Sequence, residues 1–199
     1  MSDKSRPIRI VCAAGSVRPA NQTANALALV VDEMRKDQRV AVDVIDLAEI
    51  EMPLPGTAKD SPVTKSLQEQ VSSATAVVLG TPEYHGSYSS VIKLFIEQLG
   101  YPSVLSGKPV VLLGVAAGVI GAIKATEHLR SVCSHVGAIV LPGSVSVAQV
   151  HKVFDQDGNC LDPGIEKRIR RLGTGLIDYI DNHLCPRVAL EQMVREGKV

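Results

Sequence analysis

Five short apolar runs, rich in β-branched residues, recur along the chain at 8–13, 40–45, 76–79, 109–113 and 138–141, and segments of helical period lie between them. Runs of this length, apolar on both faces at once, are those of strands buried inside a parallel sheet. The intervening segments repeat apolar residues at three- and four-residue steps: Ala24, Leu27, Ala28, Val31 and Met34 in one, and Ile165, Ile169, Leu172, Leu176 and Ile180 in another. Each thus carries a single apolar stripe. Alternation βαβαβαβαβα with short connections predicts a three-layer α/β fold, because parallel neighbours need crossover helices and these cover both faces of the sheet. Ligands of such sheets bind beyond the carboxyl ends of the strands, so the functional residues are expected directly after the apolar runs.

At 199 residues the chain is long enough for one domain with a sizeable core. We expect that domain over 1–184 and a C-terminal extension over 185–199 that forms one more short helix and an oligomer contact. Lys and Arg balance Asp and Glu at 21 each, with both signs interspersed, which leaves no electrostatic footprint for nucleic acid or an anionic membrane. Residues Met1 to Pro7 lack the apolar core of a signal segment and no later run reaches membrane-span length, so a soluble, cytoplasmic protein is expected. Cys12, Cys133, Cys160 and Cys185 are scattered without CxxC pairs, and no His/Cys cluster suggests a metal. They read as packing thiols, and the chemistry is left to an organic cofactor or a few polar side chains.

The loop after the first run, Gly15 to Thr23, opens a helix. Unpaired backbone N–H groups and the positive end of the helix dipole converge there, which makes an anion site. Ser16, Asn21, Gln22 and Thr23 add neutral donors and Arg18 a forked cation suited to phosphate oxygens. Taken singly, Asn21 or Thr23 reads equally well as a helix cap, and Arg18 as a solvated surface residue. With one glycine and no Gly-Lys-Ser/Thr ending, the loop fits neither a dinucleotide fingerprint nor a triphosphate P-loop. It suits a terminal monophosphate held by side chains. Asp46, at the end of the second run, is then an ordinary strand-end residue.

Two further loops follow runs three and four. Pro82-Glu83-Tyr84-His85-Gly86-Ser87 holds one of two closely spaced tyrosines (Tyr84 and Tyr88) in a chain without tryptophan, and its prolyl and glycyl punctuation shapes an exposed loop against which a flat π-system can rest. Tyr84 packed on the sheet edge and His85 as a solvated loop histidine are the plainer readings. Ala116-Ala117-Gly118 is small enough for backbone to approach a heteroaromatic ring edge, or simply for tight helix–sheet packing.

Together, Gly15-Ser16-Val17-Arg18, Pro82 to Ser87, and Gly118-Val119-Ile120-Gly121 leading to His128-Leu129-Arg130 and Leu141-Pro142 resemble the NADPH-dependent FMN reductase family, which includes quinone, azo-dye and chromate reductases. The resemblance spans about residues 8–184. It implies a flavodoxin-like five-stranded sheet of order 2-1-3-4-5, bound FMN, NADPH or NADH as reductant, and homodimers or homotetramers whose interfaces flank the flavin. By the same resemblance Ser16, Arg18, Asn21, Gln22 and Thr23 hold the FMN phosphate, Pro82, Glu83, Tyr84 and His85 line the isoalloxazine ring, and Ala116, Ala117 and Gly118 meet its other edge. His85 stands where the family usually has Asn.

The expected activity is passage of hydride or electrons from NAD(P)H through FMN to a small acceptor: a quinone, free flavin, azo compound or metal oxyanion. No side chain is assigned an acid–base role, because the cofactor supplies the chemistry. The alternative is a flavodoxin-like electron carrier without its own NAD(P)H turnover, but carriers usually present a strongly acidic docking surface and this chain is neutral.

Overall fold

The structure, a computed structural model, describes residues 7–19, 21–57 and 61–196. Ala20 of the phosphate loop, the first six residues and the last three therefore lie outside the described residues. Strands β1 (Ile8–Ala14), β2 (Val40–Asp46), β3 (Ala76–Pro82) and β4 (Pro109–Val115) coincide with the first four apolar runs and extend them by one to three residues at the carboxyl end. All pair in parallel in the order β2-β1-β3-β4, and every residue of β3 and β4 is buried. This is the parallel sheet that the alternation predicts, in the flavodoxin-like order that the resemblance implies.

The fifth strand differs from expectation. Only β5 (Ile139–Val140) forms within the run at 138–141, beside Pro109 and Val110. Pro142 has no N–H to give to a ladder, and Gly143 turns at φ 81°, so the chain leaves the sheet. It returns as β6 (Val145–Val147), which pairs with Leu113 to Val115 further along the same neighbour. One edge strand has become two collinear pieces, and the described sheet has six strands rather than five.

Helices α1 (Gln22–Met34) and α6 (Pro163–Tyr179) cover one face, and α2 (Pro62–Ser73), α3 (Ser90–Gln98) and α4 (Ile123–His135) cover the other. The period of two along β1 sorts its side chains between them. Ile10 and Cys12 pack with Leu27, Val30 and Leu176, while Val11 and Ala13 pack with Leu67, Phe95 and Leu129. Amide, hydroxyl and carboxylate caps start the helices: Asn21 for α1, Ser61 for α2, Ser89 for α3 and Asp162 for α6, the second and fourth followed by proline at the first helical position. Cys12 and Cys133 sit inside this packing, and burial pushes both thiols up to about 12, well away from thiolate chemistry.

After α6 a five-residue π turn (Ile180–Leu184) leads into α7 (Cys185–Arg195). Ile180 is the last fully buried side chain, and the partly exposed Leu184 and Cys185 pack against the same core. Arg39 forks onto both oxygens of Asp181 at 3.0 Å each, pinning the turn to the start of β2. α7 buries none of its residues. Among the described residues no helix is long and apolar enough to cross a membrane.

Candidate functional site

The β1–α1 loop is drawn under the sheet's carboxyl edge by a short set of buried hydrogen bonds. Gly15 donates its N–H to the carbonyl of Gly80 on β3 (2.8 Å), and the Ser89 hydroxyl donates to the Gly15 carbonyl (2.6 Å). The same Ser89 oxygen accepts from the Ile92 N–H and caps α3, and the Ser89 N–H donates to the Thr81 hydroxyl (3.0 Å). Ser89, which sequence reasoning passed over, thereby fixes the loop after β1 against the loop after β3. A serine just ahead of an apolar stripe is a capping signal; its second bond, to a residue 74 positions away, has no sequence signature.

Within the first loop Asn21 works in two directions. Its Oδ1 accepts from the Ala24 N–H (3.1 Å), and its Nδ2 donates to the Ser16 carbonyl (2.8 Å), closing the loop over the helix start. The cap takes the Ala24 amide. Among the described residues the Gln22 and Thr23 amides have no hydrogen-bond partner. Thr23 is 1% exposed and lines the groove described next. Asp46 is the cap of a short 3₁₀ turn, accepting from the Ala48 N–H, as befits a strand-end residue.

The β3–α3 loop folds back as a two-residue hairpin. Tyr84 and Ser87 exchange backbone bonds at 2.9 and 3.0 Å, and the two residues between them, His85 (φ 51°) and Gly86 (φ 79°), are both left-handed, as a type I′ turn requires. The Glu83 carboxylate accepts from the Gly86 N–H at 2.5 Å and clamps the turn. This explains the residue type at His85: Asn tolerates a left-handed backbone best, and His is among the few other side chains enriched there. The backbone angle thus constrains the residue type at position 85. His85→Asn should fold and bind ligand as the parent does, with a melting temperature equal to or up to about 2 °C above it, since Asn-Gly is the preferred I′ pair. A fall in ligand affinity with unchanged melting would show that the imidazole itself contributes.

These loops enclose a groove of about 370 Å³ lined by Ser16, Arg18, Asn21, Gln22, Thr23, Pro82, Glu83, Tyr84, Ala116 and Ala117, together with Pro19, Val115, Val150 and His151. Ten of the twelve expected residues are brought together. His85 is exposed on the hairpin tip and Gly118 is exposed beyond the rim, and neither lines the groove. The Arg18 guanidinium lies over the Tyr84 ring, 4.8 Å from its centroid, and so links the anion loop to the aromatic loop. Ala116 has its backbone engaged inside the protein: its N–H donates to Val147 and its carbonyl accepts from Val150. On that side Ala117 is the exposed residue. Val150 and His151 are additions. They begin α5 (Val150–Val153), which Gln149, left-handed at φ 45°, turns toward the groove. No periodicity in the sequence points to so short a helix.

Residues 8–152, most of the chain, match the model of the NADPH-dependent FMN reductase family. The chain belongs to that family. Membership makes it an FMN-dependent oxidoreductase that draws on NAD(P)H. Among characterised NADPH-dependent FMN reductase relatives, the FMN-dependent NADPH-azoreductase of Staphylococcus aureus (strain USA300) is 26% identical over 171 residues, which covers 81% of this chain and 90% of that protein. The flavoenzyme NAD(P)H:(acceptor) oxidoreductase FerB of Paracoccus denitrificans superposes with a TM-score of 0.74 at 24% identity, covering 88% of this chain and 98% of that one. RosB, solved with a bound formylated riboflavin phosphate, superposes at 0.69 and 16% identity, covering 93% and 87%. At these identities the structures establish the shared fold.

Proposed function

We propose that the groove holds FMN, with its phosphate at Ser16, Arg18, Asn21, Gln22 and Thr23 and its ring against Pro82, Glu83 and Tyr84, and that the protein reduces a small acceptor with NAD(P)H. The observation that carries this reading is the pairing of two features in one groove. One end has free helix-start amides, the Thr23 side chain at the groove wall and a cation. The other has a clamped aromatic hairpin. The first fits a dianionic phosphate and the second a flat ring.

FMN, when bound, supplies the hydride chemistry. The chain's own residues bind and orient it. Arg18 contributes charge and a fork for phosphate oxygens, the Gln22 and Thr23 amides donate along the dipole axis, and the Glu83 clamp fixes the Tyr84 ring. Ala117, with no bulk beyond a methyl group, leaves the mouth open on the β4 side, and reductant and acceptor share that mouth in turn. An azo compound, a quinone or free flavin is the acceptor class, all being planar and conjugated.

The exposed apolar residues Val119, Ile120 and Ile123, which follow Gly118 at the rim, support a homodimer or homotetramer with one contact flanking the site. The absence of disulfides among the described residues is in keeping with a cytoplasmic setting.

The purified protein should show flavin absorption, or acquire it on addition of FMN, and lose it when NADPH is added anaerobically. A colourless protein that takes up no FMN would overturn the site. Flavin that NADPH leaves oxidised would make the protein an electron carrier instead.

A further inference from the structure

We propose that His151 is a second cation for the FMN phosphate, held beside the β1–α1 loop by the strained turn that begins α5. The inference rests on the flavin reading above and adds a residue to it.

The charges already assigned in the groove do not balance a phosphate. A phosphate monoester carries about −1.5 to −2 at neutral pH. Among the described lining residues the full charges are Arg18 and Glu83, which offset one another, and Arg18 is shared with the Tyr84 ring. The start of α1 adds about half a positive charge. His151 completes the lining, and imidazole is the side chain that takes up a proton near neutral pH, the more so beside an anion. Protein anions do not compete for it. The first turn of α1 has no acidic residue, Glu83 clamps the Gly86 N–H, and Asp155, just after α5, accepts from the Asp157 and Asn159 N–H groups (3.0 and 2.8 Å).

The fold puts His151 on the phosphate side of the sheet's edge. Val150 and Val153 of α5 share a core with Ala26, Leu27 and Val30 of α1, so the short helix lies on the α1 face. The loop after it touches the same helix start. A methyl group at Gly158 would stand 3.0 Å from the Asn25 Oδ1, and Asn25 donates to the Oε1 of the groove residue Gln22 (3.1 Å). The aromatic hairpin is tethered on the opposite face, where Ser87 meets the Nδ1 of His128 on α4 at 3.1 Å.

The turn that delivers His151 is fixed by backbone alone. The Gln149 N–H donates to the Gly118 carbonyl (3.1 Å), the Val150 N–H to the Ala116 carbonyl (3.0 Å), and the Ala116 N–H to the Val147 carbonyl (2.8 Å). Gln149 is left-handed at φ 45°, which a non-glycine side chain adopts only under constraint. Strain of this kind persists where it places a functional group. Here it turns Val150 into the core and sets His151, the next residue, at the groove.

The test titrates apoprotein with FMN and, separately, with riboflavin, which has the same ring and no phosphate, and follows quenching of flavin fluorescence. His151→Gln keeps a donor and loses the charge. It should raise the FMN dissociation constant about fivefold to twentyfold and leave that of riboflavin within about twofold. His151→Lys should hold FMN within about threefold of the parent. Both variants should melt within about 2 °C of the parent, because the side chain is exposed. An unchanged FMN affinity in His151→Gln, an equal loss for riboflavin, or a lysine variant no better than the glutamine one would each overturn the assignment. A parent that takes up no FMN would remove the flavin site and His151 with it, whereas a parent that binds FMN while these comparisons fail would remove His151 alone.

Discussion

Arg18→Ala should raise the dissociation constant for FMN by about tenfold to a hundredfold, the range for removing one charge-assisted hydrogen-bonding group from a phosphate. Arg18 is exposed and packs against one ring, so its removal should leave the melting temperature within about 2 °C of the parent. Arg18→Lys should fall between, because an ammonium keeps the charge but loses the fork and stacks less well on Tyr84. Titration of the apoprotein with FMN, followed by quenching of flavin fluorescence, measures both variants. An unchanged affinity in Arg18→Ala would remove the phosphate from this loop.

Gly15→Ala should act the other way, on the fold first. A methyl group at Gly15 would stand 2.7 Å from the Gly80 carbonyl oxygen and 2.9 Å from the Ile92 Cβ, and both are held by the backbone of neighbouring elements. The strain cannot be relieved by turning a side chain. It has to open the Gly15–Gly80 and Ser89–Gly15 bonds or push α3 away from β3. Overpacking of this kind costs about 1–3 kcal/mol, or about 2–12 °C of melting temperature in a domain of this size. The phosphate loop hangs from those bonds, so FMN affinity should fall with stability. Gly118→Ala is the matching control: nothing lies within 4 Å of the added methyl, and melting should hold or rise slightly. Thermal unfolding of apoprotein separates the two. A Gly15→Ala protein as stable as the parent would mean that the three-loop junction is loose.

The parallel strands and the two helical layers were legible because their signal is redundant, whereas the strand order came only with the family resemblance. β1, β3 and β4 are apolar on both faces, and β-branched residues fill them, so no competing pattern exists. The edge was not. The run at 138–141 reads as one strand, but proline at 142 ends its ladder, and Val145-Ser146-Val147 is too short and too polar at its centre to announce that pairing resumes. At the site, ten residues could be named because they sit in three loops that directly follow strands. His151 could not, since a four-residue helix after a left-handed Gln149 carries no period. His85 was noticed for its imidazole, whereas the backbone angle decides its type. The signal lay in the neighbouring glycine.

The interruption between β5 and β6 has a bearing on solubility. An open sheet presents at its last strand a row of unmatched donors and acceptors, and a foreign strand can add to it and propagate. Here that row is broken: two residues pair, the chain swings out through Pro142 and Gly143, and three residues pair again. An incoming strand would find no straight template longer than three residues and would meet the excursion between them. That edge is thereby closed to strand-by-strand growth, which leaves the seven-residue β2 as the sheet's one continuous edge among the described residues.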